Sequence, residues 1–186
     1  MRKRYLLLLL TLIFGLALLA VDRYTASWSQ SSNERNANEP DYYGDSLVSQ
    51  RFDHTGQRVQ TLQADSSVHY PQTRHTEFTA PDITALDQQN VTWRIQARQG
   101  QLKDDDNQLT LEQSVEIRTL DSPDPIIITT ERLHYDIDNQ IAHTDEFVRI
   151  DHNRIQLTAT GMTLDLQRQR MSFHQEVNTR YDPIVQ

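Results

Sequence analysis

From Val91 to Ile117 the chain reads VTWRIQARQGQLKDDDNQLTLEQSVEI, and its large apolar residues fall on every second position. Val91, Trp93 and Ile95 lead to Ala97, with Thr92, Arg94 and Gln96 between them. Beyond the polar run 103–107 the same parity resumes at Leu109, Leu111, Val115 and Ile117. A strand turns successive side chains to opposite faces, so this spacing makes one apolar face and one wet face. A helix needs apolar residues at three- and four-residue spacing, which is absent. The stretch therefore reads as two strands bent around an acidic turn.

The unit recurs. ARQGQLKDDDNQLTLEQSVEI begins at Ala97, TTERLHYDIDNQIAHTDEFVRI at Thr129 and ATGMTLDLQRQRMSFHQEV at Ala159. Each has a small residue, a strand, a polar turn and a second strand. The turns at 106–109 and 138–141 lie 32 residues apart, and a fainter copy starts at Ala64, with Phe78 after its turn. One such hairpin cannot bury its own apolar face, whereas a stack of them can. The expected fold is all-β: a twisted open jelly roll of repeated bent hairpins, with an edge strand left at each end. Upstream, SLVSQRFD and RVQTLQAD form a further hairpin around Gly56, and Pro71 and Pro81 mark edges or bends. No stretch after Val21 has helical spacing over ten residues.

The N-terminus differs. Residues 1–4 carry Arg2, Lys3 and Arg4, and residues 5–21 carry no charge. As a helix those 17 residues reach roughly 26 Å, enough for a bilayer core. A cleaved signal peptide wants small residues at −3 and −1; Ala20 puts Leu18 at −3, and Ala26 puts Tyr24 there. The expectation is one uncleaved transmembrane helix over 5–21 with a cytoplasmic basic N-terminus. A polar, flexible linker over 22–40 then leads to a domain over 41–186, which in a bacterium is periplasmic.

The chain lacks cysteine, so disulfides, thiolate metal sites and a Cys nucleophile are excluded. Apart from the N-terminal cluster, 15 basic residues stand against 26 acidic ones, a net −11 that argues against a nucleic-acid partner. No GxSxG elbow, phosphate-binding glycine loop or HExxH pair occurs, and Asp104, Asp105 and Asp106 lack the spacing of a calcium loop. His134 and His143 flank a turn and can approach each other on paired strands. No catalytic residue, cofactor or metal is assigned. The chemistry left is an apolar inner face: Phe78, Ile83, Trp93, Ile95, Leu109, Leu111, Val115, Ile117, Tyr135, Phe147, Met162, Leu164, Met171 and Phe173. These side chains either pack the two halves of a sheet together or line a trough for acyl chains. The classes in competition are a lipid relay, a membrane-tethered structural or assembly factor with a dry core, and a hydrolase with an unrecognised triad.

The whole chain resembles the LptC family of lipopolysaccharide-export proteins. The resemblance rests on the opening PDYYGDSLVSQRFDHTG from Pro40, on Phe78-Thr79-Ala80-Pro81, on Trp93-x-Ile95-x-Ala97 with its following turn, and on Arg180-Tyr181. It implies a single-pass inner-membrane protein with a periplasmic β-jelly roll and no enzymatic activity. It further implies that lipopolysaccharide arrives from an inner-membrane ABC transporter, joined through the N-terminal edge and the membrane helix. The lipid then passes to an LptA-like bridge protein, joined by the C-terminal edge strand over 171–181. The family's lipid-contacting positions fall on Leu47, Phe78, Met171 and Tyr181. With the apolar rows they make a candidate trough of Leu47, Phe78, Trp93, Ile95, Leu109, Leu111, Met171, Phe173 and Tyr181. Where the family has a glycine after the strand at 147–150, this chain has Asp151, His152 and Asn153.

Overall fold

The computed structural model describes residues 15–21, 39–105 and 107–182. In its first unit, residues 1–39, the described residues are Glu39 and a helix over residues 15–21. Most of the span expected over 5–21, and most of the linker over 22–40, lies outside the described residues. Among the described residues no helix is long and apolar enough to cross a membrane.

The second unit, residues 40–186, contains eleven strands among its described residues. They are β1 (Tyr42–Phe52), β2 (Arg58–Tyr70), β3 (His75–Thr79), β4 (Asp82–Leu86), β5 (Thr92–Gln96), β6 (Gln99–Lys103), β7 (Gln108–Thr119), β8 (Ile127–Asp136), β9 (Ile141–His152), β10 (Ile155–Asp165) and β11 (Arg170–Tyr181). The register reduces this to something simpler. β2 pairs with β4 through 60–63 and with β3 through 66–70. β7 pairs with β6 through 109–112 and with β5 through 116–119. So β3 and β4 are one pass broken at Ala80 and Pro81, and β5 and β6 are one pass broken at Ala97 and Arg98. The sheet is an antiparallel meander of bent passes, each beside the one before it.

Every pass bends near its middle. The ladder slips between Glu112 and Val115 on β7, between Thr129 and His134 on β8, and around Gly161 on β10. Positive φ marks the same line at Ser46, Ala80, Gln113, Ser114, Gly161 and Glu176. Extra residues of this kind interrupt pairing and turn the strand. The small residues that open the sequence units, Ala64, Ala97, Thr129 and Ala159, sit at or beside these corners. The corner sends the two arms of each pass into two layers, and a single apolar cluster fills the space between. Ile83, Ile95, Ile117, Ile128 and Val148 come from one layer and Leu109, Leu111, Leu133, Tyr135, Met162 and Leu164 from the other, none more than 1% exposed. Full burial of one such side chain is worth about 1.5–3 kcal/mol. Phe147 corrects the inner-face assignment: it is exposed, and Val148 and Ile150 point inward instead. It stands in a run of three exposed residues at the corner of β9, where alternation breaks down.

Aspartates end the hairpins. Asp53 accepts backbone N–H groups of Thr55 and Gln57 at 2.8 and 2.9 Å, and Asp136 those of Asp138 and Asn139 at 3.0 and 2.9 Å. Asp165 does the same for Arg168 at 2.9 Å. Such Asx turns mimic a backbone turn, so part of the chain's acidity is turn chemistry. At the β9–β10 turn Asn153 takes φ 53°, which asparagine tolerates where the family resemblance expects glycine.

Asp87 joins the two layers. It accepts from the N–H groups of Gln89 and Val91 at 2.8 and 2.9 Å, from Trp93 Nε1 at 3.3 Å, and from Gln169 Nε2 on the β10–β11 turn. Burial pushes its carboxyl up, but hydrogen bonds led by that of Gln169 outweigh this and hold it below the ordinary carboxylate range. Other links also cross the layers: Gln60 Nε2 donates to Tyr135 Oη at 3.4 Å, and Arg51 Nη1 donates to the carbonyl of Ile137 at 3.0 Å and pairs with Asp138 at 2.9 Å. At the opposite end, His69 lies 3.0 Å from Asp104 and 2.7 Å from Asp41, tying the start of β1 to the β6–β7 turn. Hydrogen bonds that its ring donates to Asp104, then to Asp41, raise its imidazole above the ordinary value.

Three outcomes follow. Leu111→Asp places an unpaired charge where exposure is 0% and should lower unfolding stability by about 3–5 kcal/mol in denaturant titration. An unchanged midpoint would mean that the side chain is not inside. Asp87→Ala removes the acceptor of four hydrogen bonds, that of the buried Trp93 Nε1 among them, and should cost about 1–3 kcal/mol at neutral pH. Because the carboxyl is depressed in the fold, that contribution is present above the unfolded-chain value and fades as pH falls through the folded value. His69 has the opposite sign. Its contribution is complete below the unfolded-chain value of about 6.5 and is lost as pH rises through the raised folded value. The melting-temperature gap between wild type and His69→Gln should therefore shrink on going from pH 6 to alkaline pH; a gap that widened would reverse the assignment.

Candidate functional site: two apolar ladders between open edges

The register lines up apolar residues at right angles to the strands. In one layer Leu62, Ile83, Ile95, Ile117, Ile128, Ile150 and Leu157 are successive partners from β2 to β10. In the other, Leu102, Leu109, Tyr135, Ala142, Leu164 and Met171 are successive partners from β6 to β11. Cross-strand neighbours of this kind pack against each other. The two ladders belong to one core cluster and run along the sheet toward its two ends, where β1 pairs only with β2 and β11 only with β10 among the described strands.

The candidate trough residues distribute over this frame. Phe78 on β3, Trp93 and Ile95 on β5, and Leu109 and Leu111 on β7 are buried in the core. Leu47 on β1 and Met171 and Phe173 on β11 are half-buried and pack against it. Tyr181, near the end of β11, is 60% exposed and stands apart from the others. The middle of the row is thus filled by its own side chains, and contact with solvent grows toward the edges. The edges are also where exposed apolar residues gather: Tyr42, Tyr43, Val48 and Phe52 on β1, and Val177 and Tyr181 on β11. An unpaired strand presents a row of free N–H and C=O groups, and apolar side chains on it favour pairing with another chain.

On the outer surface, His134 and His143 do face each other in register, as paired strands allow. Each turns to a different threonine: His134 Nδ1 lies 3.1 Å from Thr110 Oγ1 and His143 Nδ1 3.2 Å from Thr163 Oγ1. The group that converges is His143, Asp145 and His174, whose ligand atoms lie within 4.8 Å of one another. Reading the sequence by close pairs missed it, because the two histidines are 31 residues apart. That offset is close to the 32-residue unit spacing and was the available signal: the repeat puts them at similar heights on β9 and β11, with β10 between them. Among the described residues, Asp104 and Asp105 join no such cluster. They accept from His69 and Arg74, which makes their turn a fastening between hairpins.

Comparison with known proteins agrees with this architecture. The chain is similar over its fold to LptH, described as the LptA homologous periplasmic component of the conserved lipopolysaccharide transport device from Pseudomonas aeruginosa, with 13% sequence identity and a TM-score of 0.51. The match covers 67% of this chain and 95% of that one, and at this identity it speaks for the fold. No curated protein sequence matches the chain. A family model described as "Lipopolysaccharide-assembly, LptC-related" matches residues 6–182. A match over nearly the whole length, on a meander with a continuous apolar interior and two unpaired edges, places this chain in the LptC-related lipopolysaccharide-assembly family.

Proposed function

We propose that this protein is a relay station in lipopolysaccharide transport from the inner to the outer membrane. Acyl chains travel between its two layers while the sugar-phosphate part stays in water. The observation that carries this reading is the pair of apolar ladders, because between them they run across the strands from β2, beside the edge strand β1, to the edge strand β11. A neighbouring chain of like fold that added a strand to either edge would extend the same rows. The N-terminal edge, β1, receives lipid from the inner-membrane ABC transporter. The C-terminal edge, β11, hands it to an LptA-like periplasmic bridge protein. Residues 5–21 anchor the chain in the inner membrane as a single pass, with the N-terminus in the cytoplasm. Transport of this kind needs no reaction at this station, since the lipid enters and leaves unchanged. The net negative charge opposes anionic head groups, and head groups held outside in water and screened by divalent cations ease that repulsion.

The filled centre sets a condition. Side chains such as Ile95 and Leu111, at 0% exposure, must separate before an acyl chain lies among them. The polar links across the layers are few and lie mainly near the hairpin ends, so the layers can part along the open edges without breaking the ladder hydrogen bonds. The same filled centre favours the second reading, a membrane-tethered assembly factor whose interior stays dry.

A photoreactive residue at Phe78 separates the two. In cells actively exporting lipopolysaccharide it should yield a lipopolysaccharide adduct, and the same probe at outward-facing Phe147 should give none. No adduct at Phe78, in a variant that still supports export, would leave the dry-core reading standing.

A further inference from the structure

The outer face of the C-terminal edge holds a group that the lipid path does not use. His143 on β9, Thr163 on β10 and His174 on β11 stand side by side, with Asp145 above them. Thr163 Oγ1 lies 3.2 Å from His143 Nδ1 and 3.1 Å from His174 Nε2. The other ring nitrogens face one carboxylate: His143 Nε2 is 3.3 Å and His174 Nδ1 3.9 Å from Asp145 Oδ1. The rings are 5.4 Å apart between centroids.

Proton counting makes this arrangement informative. A hydroxyl has one hydrogen and a neutral imidazole has one N–H. If Thr163 accepts from both rings, both nitrogens facing Asp145 carry lone pairs. If it donates to one ring, that ring can give its N–H to Asp145, and the other still turns a lone pair toward the carboxylate. With both rings neutral, each case turns at least one imidazole lone pair toward an anionic oxygen. The threonine also holds each ring by its far nitrogen, the role that outer hydrogen bonds play for metal-binding histidines.

The backbone is shaped to seat His174. Gly161, opposite it on β10, has φ +77°, and a Cβ there would come within 2.5 Å of His174 Nδ1. The bulge and the missing side chain together let the ring lie over the strand. Two imidazoles and one carboxylate suit a borderline divalent ion such as Zn²⁺, whereas Mg²⁺ and Ca²⁺ prefer oxygen ligands throughout. Bonds of about 2.0–2.1 Å set tetrahedral donors roughly 3.3 Å apart. The His143–Asp145 distance already meets that, and binding would draw His174 Nδ1 in from its 3.9 Å distance to Asp145. The fourth position opens to solvent.

We propose that His143, Asp145 and His174 form a zinc-class metal site. The ion staples the edge strand β11 to β9 across β10, just before the bend at Glu176, and so stiffens the strand at the C-terminal edge of the sheet. Calorimetric titration of the full chain in detergent, purified without a polyhistidine tag, tests this with ZnSO4 alone and MgCl2 alone. One Zn²⁺ should bind per chain and raise the melting temperature, while Mg²⁺ does neither. His143→Asn, Asp145→Asn and His174→Asn should each weaken Zn²⁺ binding about tenfold or more, and His134→Asn should leave it unchanged. These side chains lie on the outer face, so the variants should melt like wild type without metal. In proton spectra, Zn²⁺ should shift the ring signals of His143 and His174 ahead of the other histidines. Absence of Zn²⁺ binding, binding that survives His174→Asn, or equal loss in His134→Asn would each overturn the proposal.

Discussion

The fold depends on the corner in each pass. A flat meander of this length would expose its whole apolar face, and no helix among the described residues covers it. The bend lets the sheet cover itself. Its cost is local: two residues at positive φ in β7, a glycine in β10, and short gaps in the hydrogen-bond ladder. The return is a shared core in which residues from both arms reach complete burial. Because every pass bends at a similar height, the arms stack as two layers and the apolar residues fall into rows. Straightening one corner would shift the alternation on its far arm, which is what makes bulges conserved features of design in folded sheets.

The same device leaves the structure open at both ends. A meander bent in this way has a first and a last strand, and neither can pair with the other while the layers remain parallel stacks. Proteins usually blunt such strands with lysine, proline or distortion. Here both edge strands are distorted, at Ser46 and Glu176, yet β1 carries two exposed tyrosines near its start and neither strand carries a lysine. These are surfaces on which a further chain of the same kind can continue the sheet and its rows. The polar links tune how tightly the layers close. Asp87, Gln169 and Trp93 clasp the hairpin ends on one side, while His69 fastens the start of β1 beside the turn after β6.

Much of this was legible in the residues. Alternation at Trp93, Ile95, Leu109 and Leu111 gave strand faces directly, since parity is a local property. Gly56 and Pro81 marked a turn and a corner for equally local reasons. Repetition of the unit showed that hairpins stack in order. Alternation misled only at Phe147, where the corner of β9 interrupts parity and a large aromatic residue stands outside. Tyr181 was grouped with the interior row by resemblance, yet it is largely exposed at the strand end. The partners of Asp87 could not be read, because Gln169 is 82 residues away and the turn it comes from is positioned only by the closure of the layers.

Sequence alone determined that this chain forms bent antiparallel hairpins with one apolar face, lacks thiol chemistry, and carries an uncharged apolar segment over residues 5–21. Those properties follow from side-chain spacing and composition, which act over a few residues. Tertiary structure decided which residues become neighbours across strands. Register turned scattered leucines and isoleucines into two continuous ladders, and the bulge at Gly161 brought His174 beside His143 and Asp145. Both outcomes depend on how far each strand slides and bends against the next. That is settled by the packing of the whole sheet, because a shift of one residue in any pass would reverse its faces.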